Sequence, residues 1–177
     1  IVFQSDSDSE VVLHALIHWG EDALRRFNGM FAVALYDSVR RSVLLARDPM
    51  GIKPLYWMHH ARGIVFASQY DVIVRHPWCE RQRLRADVAA LYLQFGYIPA
   101  PYGLVESTGQ VCAGSVMTWS PESGARERQY AAWPGRPDHY LTPGEGADVV
   151  HLALQEAIKR QLVADVPVGT FLSGGID

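Results

Sequence analysis

The chain has 177 residues, 49% of them hydrophobic and 20% charged, with a formal net charge of −3. A chain of this length buries roughly two thirds of its unfolded surface, enough for one substantial core without disulfide staples. The acidic balance excludes a sequence-independent grip on nucleic acid, which needs a basic face. No window approaches about 18 uninterrupted apolar residues, so a membrane span is excluded, and Ile1-Val2-Phe3-Gln4 lacks the charged start and apolar run of a signal peptide. The two scattered cysteines, Cys79 and Cys112, fit no metal or redox spacing and read as core residues of a cytoplasmic protein. Arg81, Arg83 and Arg85 read as a solvated stretch. Both ends read as cuts: the chain opens on Ile1 without an initiator Met and stops at Ser173-Gly174-Gly175-Ile176-Asp177.

In chain order, Ser7-Asp8-Ser9-Glu10 has the form of a capping box, with Ser7 as N-cap and Glu10 three residues on. Val11, Val12, Ala15, Leu16 and Trp19 then fall on one helical face, and Gly20 ends the helix. A short helix over 21–26 follows. Four β-rich runs, 31–36, 42–47, 56–59 and 64–67, separated by turn residues, predict an antiparallel meander. Residues 71–75 and 86–95 read as helices, the second closed by Gly96, and 111–119 as a short hairpin arm. The density of Pro and Gly between 134 and 146 marks a linker. Beyond it, Val150, Leu154, Ala157, Ile158 and Leu162 give a helical stripe, and 166–172 reads as a buried strand.

The chemistry suggested by the residues themselves is concentrated at the C-terminal loop. Small residues after a strand leave backbone amides open to a polyphosphate, Ser173 adds a hydroxyl, and Asp177 is available to hold a magnesium ion. The Walker spacing is absent, so a pyrophosphate leaving group suits the loop better. His14 and His18, at i and i+4, have no evident third ligand and read as a solvated helix edge; His59-His60 reads as a strand end entering a turn.

Residues 164–177, ending in Ser173-Gly174-Gly175-Ile176-Asp177, resemble the S-G-G-x-D-S pyrophosphatase loop of the glutamine-hydrolysing asparagine synthetase family. The segments 27–37, 46–56, 66–68 and Gly96-Tyr97-Ile98-Pro99-Ala100-Pro101 are similar to the second half of that family's glutaminase domain. The resemblance implies an α+β chain: an incomplete αββα N-terminal-nucleophile sandwich over 1–133, a linker over 134–146 and the start of an α/β ATP-pyrophosphatase domain over 147–177. It implies release of ammonia from glutamine, and ATP-dependent amidation of aspartate to asparagine with AMP and pyrophosphate as products. ATP and Mg2+ are the implied cofactors. Glutamine and aspartate are the implied small-molecule partners, with a homodimer left open for the full-length protein.

The resemblance carries over to few residues. Asp8 matches the aspartate that binds the α-amino group of glutamine, although the stretch taken alone reads as a helix cap. Ser173, Gly174, Gly175 and Asp177 match the ATP loop. Arg47-Asp48 with Gly51 and Pro54-Leu55 matches the signature R-D-x-x-G-x-x-P-L and reads mainly as structural, an Asp-Pro turn with Arg47 pairing inside the sandwich. The family's nucleophile, an N-terminal cysteine whose own α-amine is the base, has no counterpart where this chain starts with Ile1, and neither Cys79 nor Cys112 has such an amine. The chain alone is therefore expected to catalyse nothing. Two rivals are a relative that amidates another carboxylate and a non-catalytic regulatory homologue.

Overall fold

The computed structural model describes residues 2–80, 82–132, 140–171 and 174. The chain divides into two compact units, Ile1–Trp133 and Pro134–Asp177.

The first unit is built on two antiparallel sheets. One has the strand order β1-β2-β6-β7, with β1 Ala32–Asp37, β2 Ser42–Arg47, β6 Ser115–Ser120 and β7 Gly124–Gln129. The other has the order β4-β3-β5, with β3 Tyr56–His60, β4 Gly63–Ala67 and β5 Thr108–Gln110. The expected meander is therefore corrected to two separate hairpins. β1 pairs with β2 through Leu35↔Leu44 and Val33↔Ala46, and β3 pairs with β4 through Met58↔Val65, but no ladder joins β2 to β3. The segment 48–55 crosses from one sheet to the other, and 111–114 crosses back from β5 to β6.

Alternation along the strands decides which face is buried where. Val43, Leu45 and Met117 of the first sheet meet Leu55, Trp57 and Ile64 in a core between the sheets. The opposite face of the first sheet, with Ala46, Val116 and Val33, packs against Ala15 and Leu16 of α1 (Asp8–Trp19) and against Ala23 and Leu24 of the 3-10 helix Gly20–Arg26. The opposite face of the second sheet, with Met58 and Val65, packs against Ile73 of α2 (Tyr70–Val74) and Cys79. Helix, sheet, sheet and helix thus stack in four layers, which is the α+β sandwich that the sequence leads one to expect. A further helix, α3 (Ala86–Phe95), ends on Gly96 in the left-handed conformation, φ 75°, as its sequence predicts.

In the second unit, α4 (Pro143–Gln161) starts within the segment read as linker. It opens with the reciprocal capping box that Thr142 and Glu145 form: Thr142 N donates to Glu145 Oε2 at 2.9 Å, and Glu145 N donates to Thr142 Oγ1 at 3.4 Å. None of its residues is buried. The buried strand expected over 166–172 is not formed: residues 166–171 carry no strand pairing and are exposed, and 172 lies outside the described residues. An extended segment needs a neighbouring ladder to satisfy its N–H and C=O groups, and this unit has no strand among its described residues.

Candidate functional site

The N-terminus of α1 forms one wall of a cavity of about 730 Å³. Ser7 is the N-cap, with φ −83° and ψ 134°, and its Oγ accepts from Ser9 N at 3.2 Å. Glu10 does not close a capping box on Ser7. It reaches further back, accepting from Gln4 N at 2.8 Å, Ser5 N at 2.8 Å and Ser5 Oγ at 2.6 Å, so its carboxylate ties down the approach to the helix. The Ser5 hydroxyl, followed by the Gln4 amide, holds the Glu10 carboxyl below its ordinary pKa.

Asp8 is the first residue of α1 and is exposed in the cavity wall. The only hydrogen bond its carboxylate makes among the described residues is a long one, accepted from Ser9 Oγ at 3.5 Å. Capping is already done by Ser7, so the Asp8 oxygens stand at the positive end of the helix without a capping bond among the described residues. Met30 and the strand β1, which is an edge of its sheet, line the cavity together with Lys53 and Ser68. One cavity therefore offers a carboxylate, an ammonium and hydroxyls above an apolar floor. The sequence signals Asp8 but not Met30, Lys53 or Ser68. Lys53 joins the site because the segment after β2 leaves the first sheet, a step that falls within the 47–55 signature, which the sequence marks as a turn and not as a change of sheet.

That step is organised by Arg47 and Asp48, both buried. The Asp48 carboxylate accepts from Met50 N at 3.1 Å, Ile52 N at 3.0 Å and Lys53 N at 2.9 Å. Arg47 donates to the carbonyl oxygens of Lys53 at 2.8 Å, Val111 at 2.9 Å and Gly51 at 2.5 Å. Its pairing inside the sandwich is thus with backbone carbonyls.

Burial pushes the Cys79 thiol up, and burial with the nearby Glu127 carboxylate pushes Cys112 up to about 11. Both stay protonated at neutral pH, the reverse of what an activated nucleophile needs. His14 sits 3.6 Å from Glu10, and His18 packs edge-on against Trp19 at 5.0 Å between ring centroids. No group of three or more potential metal ligands occurs among the described residues, and no helix among them is long and apolar enough to cross a membrane. Of the C-terminal loop, Ser173, Gly175 and Asp177 lie outside the described residues; Gly174 is exposed, with no heavy atom within 4 Å of where a Cβ would stand.

Against known protein families, residues 1–131 match the glutamine amidotransferase domain. The chain belongs to the glutamine amidotransferase domain family. Residues 150–177 match asparagine synthase. It is 33% identical over 179 residues to asparagine synthetase [glutamine-hydrolyzing] 3 of Bacillus subtilis, covering 99% of the chain and 28% of that protein. It is 29% identical to a putative asparagine synthetase [glutamine-hydrolyzing] 2 of Methanocaldococcus jannaschii, covering 98% of the chain and 34% of that protein. It is also 30% identical to amidase chry2 of Gibberella zeae, covering 99% and 26%. The chain thus spans about a quarter to a third of the length of these relatives.

Proposed function

We propose that the chain is the segment of a longer glutamine-dependent asparagine synthetase that joins its glutaminase domain, over 1–133, through a linker over 134–146 to the start of its ATP-pyrophosphatase domain, over 147–177. In that enzyme ammonia leaves glutamine in the first domain. In the second, aspartate is activated by ATP with loss of pyrophosphate, and ammonia then displaces AMP to give asparagine. Asp8 binds the α-ammonium of glutamine. Ser173, Gly174, Gly175 and Asp177 belong to the loop that receives ATP, with Asp177 the candidate magnesium contact. The reading includes a cytoplasmic enzyme, with a homodimer compatible with it.

The observation that carries the reading is the Asp8 carboxylate, released from capping duty by Ser7 and facing a cavity that also presents Lys53. An ion pair with a bound ammonium there would be charge-assisted and partly shielded from water. The test is Asp8→Asn in the full-length protein. The KM for glutamine should rise at least tenfold, a loss of about 1.4 kcal/mol or more, while synthesis driven by added ammonium salt is unchanged. An unchanged glutamine KM would overturn the assignment. The isolated chain should release no ammonia from glutamine, and any turnover would overturn the view that the nucleophile lies outside it.

A relative that is named an amidase and not an asparagine synthetase, amidase chry2, keeps a second reading open, in which the same two domains serve another acceptor. ATP–pyrophosphate exchange by the full-length protein, stimulated by aspartate or by another carboxylate and not by aspartate, separates the two.

A further inference from the structure

A second cavity in the first unit, of about 590 Å³, shares no lining residue with the one at Asp8. It opens between the connection after β2, the tyrosines of β3 and α2, and the loop after α3. Two of its polar wall residues are more than nine-tenths buried: Arg47, 8% exposed, and Gln110, 9% exposed.

Arg47 has five N–H donors, and three are spent on the carbonyls of Lys53, Val111 and Gly51. It takes part in no ion pair with the described residues. Its direct partners are carbonyl oxygens, and the buried carboxylate that follows it, Asp48, is committed to the amides of Met50, Ile52 and Lys53, so two guanidinium N–H groups are left without a partner among the described residues. The Gln110 side chain makes no hydrogen bond with the described residues, and Gln110 lines the cavity. Around these groups stand tyrosine rings. Tyr56 and Tyr70 pack at 5.3 Å between centroids. Tyr70 is fixed by its hydroxyl, which accepts from Val105 N at 2.9 Å and lies 2.7 Å from Thr108 Oγ1. Tyr97 and Tyr102 are 61% and 40% exposed at the other side of the same cavity.

We propose that this cavity is a binding site for a small aromatic monocarboxylate, its carboxylate taken by the spare N–H groups of Arg47 and the amide of Gln110 and its ring by the tyrosine faces. One buried cation matches one negative charge. Aromatic walls reward a flat apolar body, and the volume lies in the range of small-molecule sites. A phosphate dianion would bring a second charge that no cation in the wall meets.

The test is titration of the isotopically labelled chain, followed by NMR, with three probes: phenylacetate, phenylacetamide and inorganic phosphate. Phenylacetate should give saturable shifts at the amides of Gly51, Gly103 and Gln110, phenylacetamide should bind at least tenfold more weakly, and phosphate should give no shifts there. Gln110→Leu should weaken phenylacetate about tenfold. The exposed Tyr97→Ala is a second variant that does not touch the core and should weaken it several-fold. Equal binding of acid and amide, tighter binding of phosphate, absence of saturation, or shifts confined to the Asp8 cavity would each overturn the proposal. The readout is binding and not turnover, so its failure is distinct from failure of the amidotransferase reading.

Discussion

The hydroxyl of Tyr130 donates to the backbone carbonyl of Arg47 at 2.8 Å, across 83 positions of sequence. It anchors the segment after β7 to the last residue of β2, beside the guanidinium that fixes the sheet crossing. Tyr130→Phe would leave a buried carbonyl without this partner, at a cost of about 1–3 kcal/mol. Urea denaturation at pH 7 measures it. Burial, with Asp48 nearby, pushes the Tyr130 hydroxyl up to about 12. The unfolded chain therefore loses this proton near pH 10 while the folded chain keeps it, so stability falls as pH rises from about 10 to about 12. The fall should be shallower in Tyr130→Phe over that window.

Gly51 has φ 66°, and an added Cβ would meet Ala113 Cβ at 3.0 Å and Arg47 Cζ at 3.2 Å. Gly51→Ala should cost about 1–3 kcal/mol, combining left-handed strain with crowding. A larger loss than for Gly144→Ala, where nothing lies within 4 Å and the residue is helical, would show in paired thermal melts.

The folded pKa of Glu10 lies below its ordinary value of 4.5. Its contribution to stability is therefore present above the unfolded pKa and lost as pH falls through the folded one. Glu10→Gln should be less stable than wild type at pH 7, and the gap should close as the solution is acidified below about 4.5. A gap independent of pH would show that the ionised form of Glu10 is not the source of the difference.

How far the fold could be read from sequence depended on where the deciding contacts lay. β2 and α3 fall where their local patterns put them, because alternation in one and the Gly96 stop in the other act within a few residues. The sheet crossing was invisible for the opposite reason: it is secured by Arg47 reaching Val111, 64 positions away. β5 is Thr108-Gly109-Gln110, three residues with little strand character of their own, buried by tertiary context. β7 is a polar edge strand whose lack of an apolar face leaves no strand signal in its sequence. At the site, the helix start at Asp8 was legible in its local pattern, while a ligand role for Asp8 came only from the family resemblance. That Glu10 would bypass Ser7 for Ser5 depended on the path of residues preceding the helix, which no spacing rule encodes.

Met58 is fully buried in the second sheet, while Leu152 of α4 is 62% exposed. Met58→Ala should cost about 2–5 kcal/mol by emptying a packed site. Leu152→Ala should stay within about 0.5 kcal/mol, as surface substitutions do. Chemical denaturation of the two variants makes the comparison, and a large loss for Leu152→Ala would mean that the helix has a buried face in solution.

The crossing between the sheets also limits what sequence change the chain can absorb. Asp48 binds the amides of residues 50, 52 and 53, and two residues later Leu55 enters the core between the sheets. An insertion or deletion of one residue here would separate Lys53 and Leu55 from the amide positions that Asp48 fixes, and so displace one from the Asp8 cavity and the other from the core. Most surface loops drift in length; this one is held to a fixed count by the cavity at one end and the core at the other.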